Sequence, residues 1–138
     1  FDSKDELFLE IIRQELGKSH DLLQQNLSAA SLEAFLNVYL SPLHLNFPAF
    51  GCILPSLSTE VGRSEAAVKD AFAQGLAQIH QTLSTQLANP QLAWATIAMT
   101  VGAVNLARAL PEGDQQQALL KACHDTLLQA TKPLKTQS

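Results

Sequence analysis

The 138-residue sequence has nine basic and thirteen acidic residues, a net charge of −4, and is 46% hydrophobic but only 16% charged. That length suits one domain, residues 1–138, able to bury about two thirds of its unfolded surface without covalent staples. Its scattered lysines and arginines exclude a basic patch for nucleic acid on this segment, and two cysteines exclude a disulfide framework.

In chain order, Ser3-Lys4-Asp5-Glu6 reads as a capping box, in which Ser3 and Glu6 exchange side-chain and backbone hydrogen bonds. Leu7, Ile11, Leu16, Leu22 and Leu23 follow at helical spacing and predict a first helix to about Gln25, weakened at Gly17. Ser28 or Ser31 would cap a second helix carrying Leu32, Phe35, Leu36, Val38, Tyr39 and Leu40, punctuated by Ser41-Pro42. His44 to Gly51, with Pro48 and two phenylalanines, is the most irregular stretch and an apolar one. Cys52 to Val61 predicts a helix with Pro55 in its first turn or at a kink. Ser64 is expected to cap a long amphipathic helix with Ala67, Ala71, Phe72, Leu76, Ile79 and Leu83 inward.

Asn89-Pro90 is a strong helix start, a cap followed by proline. The helix it opens runs to about Leu110 and carries no charge from Asn89 to Ala107. Asn89, Gln91, Thr96, Thr100 and Asn105 interrupt its apolar character and no basic cluster flanks it, so it reads as a helix buried within protein and not as a membrane span. Pro111-Glu112-Gly113-Asp114 predicts a turn, and a last helix with Leu119, Leu120, Cys123, Leu127 and Leu128 stops before Pro133. No segment alternates with period two. The expected fold is all-α, a bundle of about six helices whose last two form an antiparallel hairpin.

His20, His44, His80 and His124 lie on four different segments without the close spacing of a zinc motif, which predicts no metal site. Cys52 with His44 could form a nucleophile pair, but nothing supplies an oxyanion hole or a third orienting group, and the six glycines form no phosphate loop. The chain is therefore expected to be no enzyme and to need no cofactor. Phe35, Tyr39, Phe47 and Phe50 fall close together; the ordinary reading is core packing, the alternative a pocket wall. With His44, Cys52, Trp94 and Met99 they make the candidate ligand-binding set. The charge-free helix has more apolar circumference than one core face can use, and Ala95, Ala98, Gly102 and Ala103 would allow close approach. The hairpin is expected to pair with its twin into a four-helix dimer interface that includes Val101, Asn105, Arg108, Leu119, Cys123 and Leu127.

Phe1-Asp2-Ser3-Lys4-Asp5-Glu6-Leu7 resembles the exit from the DNA-binding head of TetR-family transcriptional regulators. Tyr39-Leu40-Ser41-Pro42-Leu43-His44, Gly51-Cys52, Glu60-Val61-Gly62-Arg63, and Thr100-Val101-Gly102-Ala103 with Leu106-Ala107-Arg108-Ala109 resemble that family's regulatory domain, so that the likeness runs over nearly the whole chain. The resemblance implies a homodimer joined through its last two helices, an N-terminal helix-turn-helix, and a ligand pocket in the helical domain. It also implies that ligand binding swings the first helix and moves two heads that must match major grooves about 34–36 Å apart. No helix-turn-helix precedes Phe1, so residues 1–7 are expected to be the tail of a missing head, and operator DNA to be reached only through it. Phe1 runs straight into charged residues, unlike a secretory leader, and the expected location is the cytoplasm with both thiols buried and reduced. The expected function is ligand sensing and dimerisation for a TetR-type repressor, with a neutral, lipophilic ligand; the alternative is a structural dimerisation module without a ligand.

Overall fold

A computed structural model describes residues 4–29, 32–41 and 60–131. Five helices have full bounds: α1 (Lys4–Ala29), α2 (Leu32–Tyr39), α3 (Ala66–Leu87), α4 (Pro90–Arg108) and α5 (Asp114–Thr131). Residues 60–62 are also helical, and there is no strand among the described residues. The fold class is all-α, as the periodicity predicts. Among the described residues no helix is long and apolar enough to cross a membrane.

Local chemistry fixes most helix ends. The Asn89 side chain accepts from the Leu92 N–H at 3.0 Å and Pro90 occupies the first turn of α4, where its missing N–H costs nothing. Only Ala88 and Asn89 separate α3 from α4, so the two helices are forced into a tight antiparallel hairpin. The reversal needs Ala88 in the left-handed region (φ 54°, ψ 33°), a conformation that costs an alanine about 1 kcal/mol. At the next turn, Gln116 donates from Nε2 to the Ala107 carbonyl at 2.7 Å, fastening the start of α5 to the end of α4. The buried Gln116 thus satisfies a C-terminal carbonyl that the Leu110 N–H also reaches, at 3.2 Å.

Three expectations change. The first helix runs on to Ala29, because Gly17 sits on the exposed side and one glycine does not stop a helix packed along its length. The uncharged helix ends at Arg108. Ser64 does not cap α3: its hydroxyl donates back to the Glu60 carbonyl at 2.8 Å, and Glu65 is the cap residue, without a side-chain bond. The predicted helix from Cys52 is described only at residues 60 and 61, and the capping box at Ser3 lies outside the described residues.

α1 packs along α3, α3 on α4, α4 on α5, and α2 bridges α1 and α5, so the helices close a ring around one core. Ile12 and Leu23 of α1, Leu36 of α2, Val68 and Leu83 of α3, Val104 of α4 and Leu127 of α5 are the largest apolar side chains it fully encloses. α1 and α3 approach closely at Gly75, where an added Cβ would lie 2.5 Å from Leu16 Cδ1 and 2.9 Å from Leu16 Cβ. Glycine is required there to admit the Leu16 side chain. One turn further on, His20 Nε2 and Thr82 Oγ1 share a hydrogen bond of 2.7 Å between the same two helices.

Candidate functional site

The middle of the ring holds an apolar cavity of about 30 Å³. α1 contributes Ser19 and Leu23, α2 Phe35 and Tyr39, and α3 Ile79 and Leu83. α4 closes the far side with Thr96, Ile97, Thr100 and Val101. The Phe35 and Tyr39 rings, one helical turn apart, lie 5.4 Å between centroids and are tilted by 35°. Among the described residues no charged side chain is in this lining. A volume of 30 Å³ holds a water molecule or two; about 150 Å³ is needed for benzene. A larger guest therefore has to displace part of the wall.

The wall's serine and threonine hydroxyls are tied to helix backbone. Thr96 Oγ1 donates to the Leu92 carbonyl at 2.8 Å, and Thr100 Oγ1 donates to the carbonyls of Thr96 and Ile97 at 2.7 and 3.1 Å. Ser19 Oγ donates to the Glu15 carbonyl at 2.9 Å. These bonds allow fully buried threonines on the core face of α4 without unpaired donors.

Of the ligand-binding residues expected from sequence, Phe35 and Tyr39 come together in this lining, while His44, Phe47, Phe50 and Cys52 lie outside the described residues. Trp94 faces the other way: it is 48% exposed and stacks on His80, centroids 3.9 Å apart and planes 17° from parallel. His80 also donates from Nε2 to the Pro90 carbonyl at 2.9 Å, so the stack braces the α3–α4 turn. Met99 packs partly buried against the core, away from the cavity lining. Sequence reading placed Ile79 and Leu83 inward but assigned neither them nor the threonines to a site; the spacing of Thr96 and Thr100, one turn apart in a stretch without charge, was the available signal.

The residues expected at a dimer surface fall in different places. Asn105 is exposed and Arg108, Leu119 and Cys123 are half-buried. Val101 belongs to the cavity wall, and Leu127, 1% exposed, belongs to the chain's own core. The solvent side of α4 presents Trp94, Ala95, Ala98, Asn105 and Leu106, the last 58% exposed, with no charged residue between Pro90 and Ala107. Burial pushes the Cys123 thiol pKa up. His124 joins α5 to α2 through Nε2 and Asn37 Oδ1 at 2.8 Å, with Asp125 Oδ1 at 3.1 Å from its Nδ1. Among the described residues no group of three or more His, Cys, Asp or Glu is placed to hold a metal ion. No protein-family model matches the chain, and no curated protein matches it.

Proposed function

We propose that this chain is the ligand-sensing and dimerisation domain of a TetR-type transcriptional repressor, working in the cytoplasm, with no catalytic step of its own. The observation that carries the reading is the pairing of two features on one helix. The inner face of α4 lines an apolar cavity, and its outer face, next to the α4–α5 hairpin, is apolar and uncharged. One face suits a small neutral molecule and the other a second copy of the chain. The motifs from Phe1 to Leu7 and from Thr100 to Ala109 support the same assignment.

The cavity suggests how a ligand would signal. A guest larger than water must push α1 and α2 away from α3 and α4, because those helices hold the lining between them. In the proposed parent protein α1 leads directly from the DNA-binding head, so a shift of α1 changes the spacing of two heads in a dimer. A coupling of about 1–3 kcal/mol alters operator affinity roughly 5–150-fold.

The size of the cavity favours one rival. A volume of about 30 Å³ is also what a filled structural core would leave, and a dimerisation module without a ligand would look the same. Native mass spectrometry of the purified chain separates the readings. A dimer carrying a small molecule is the expected result; a dimer that neither carries nor binds one favours the structural module; a monomer overturns both.

A further inference from the structure

Resting on the reading of the cavity as a ligand site, we infer that it selects a neutral, apolar molecule bearing a hydrogen-bond donor, an alcohol or a phenol, over ketones, ethers and carboxylates of the same size. A hydroxyl has one proton and two lone pairs. The proton of Thr96 goes to the Leu92 carbonyl and that of Thr100 to the Thr96 and Ile97 carbonyls, within their own helix. What these two residues can offer a guest is therefore lone pairs. At the threonines a guest O–H is met by an acceptor, whereas a guest carbonyl is met by lone pairs and loses its water without replacement. The threonines are 0% and 3% exposed, so water does not make up the difference. A carboxylate fares worse, because among the described residues no cation lines the wall and an unpaired buried charge is costly.

Cyclohexanol and cyclohexanone are nearly equal in size and differ in the donor, and toluene reports on the apolar cavity alone. Isothermal titration calorimetry of the purified chain is expected to show cyclohexanol binding about three- to tenfold more tightly than cyclohexanone, the range of one neutral hydrogen bond. Thr96→Val with Thr100→Val, which keeps shape and removes both acceptors, is expected to abolish that preference while toluene still binds. Thr96→Ser with Thr100→Ser is expected to restore it. The Tyr39 phenol also lines the cavity and, like any phenol, can donate or accept; Tyr39→Phe is expected to keep the preference. Equal binding of alcohol and ketone, with toluene bound, overturns donor selection and leaves the ligand site standing. A preference that survives both valines, or that disappears in Tyr39→Phe, overturns the assignment to the threonines. No binding by any of the three probes overturns the ligand site together with the inference.

Discussion

Cys123 shows how a residue's setting decides its chemistry. It lies half-buried on α5 against the core, and removal from water penalises its thiolate. The folded thiol therefore holds its proton more tightly than the unfolded one. Its contribution to stability is full below the unfolded pKa and is lost as pH rises through the raised folded value. Alkylation requires the thiolate. In a Cys52→Ser chain, the pH at which iodoacetamide modification reaches half its limiting rate is expected to lie higher when folded than in urea. A folded midpoint at or below the urea value would show that a neighbour, and not burial, controls the thiol. The same logic of surroundings explains Thr96 and Thr100. Their polarity reads in the sequence as tolerance of water, but the hydroxyls are spent on the helix's own carbonyls and their methyl groups are free to pack.

Helix ends test how far local rules reach. Asn89-Pro90 was legible because both signals act within three residues, and the Asn89 bond to Leu92 is their outcome. Ser64 misled because a serine at a helix junction can serve either neighbour, and its hydroxyl bonds the Glu60 carbonyl behind it. Gln116 was not legible at all, since its partner, Ala107, sits across the turn on another helix. Gln116→Ala is expected to destabilise the chain by about 1–2 kcal/mol in urea unfolding, the loss of one hydrogen bond and some packing. A larger loss is not expected, because the Leu110 N–H still reaches the Ala107 carbonyl. A change under about 0.3 kcal/mol would mean that water replaces the amide at that carbonyl. Amphipathic helices could be phased from their apolar stripe; Phe35 and Tyr39 were grouped because the aromatic residues cluster in that stretch of sequence, and one helical turn brings both to the lining. α4 could not: an uncharged helix is apolar nearly all round, so the sequence does not say which side Trp94 takes, and it takes the outer one.

At the scale of the whole molecule, the ring of helices encloses its own core, and among the described residues no element packs over the outer face of α4. A protein of this size tolerates single exposed apolar residues, but Trp94, 48% exposed, and Leu106, 58% exposed, on a helix without charge from Pro90 to Ala107 fit the contact surface proposed above. The choice of variant decides whether this can be tested. Leu127→Glu would bury a charge in the chain's own core and unfold it, which says nothing about assembly. Leu106 is 58% exposed, so glutamate there should change the stability of the single chain by less than about 0.5 kcal/mol. In a dimer that buries this face, the same glutamate is an unpaired charge, costing several kcal/mol across two copies. Leu106→Glu is therefore expected to sediment as a folded monomer at concentrations where the parent chain is a dimer, with unchanged helical circular dichroism. Trp94, the chain's one tryptophan, gives a second reading on the same face. Its emission is expected to shift to the red on dilution of the parent chain, as dissociation wets the ring, and to be independent of concentration in Leu106→Glu. A dimer that survives the substitution with Trp94 still insensitive to dilution would move the interface away from this face, and the functional reading would then rest on the cavity alone.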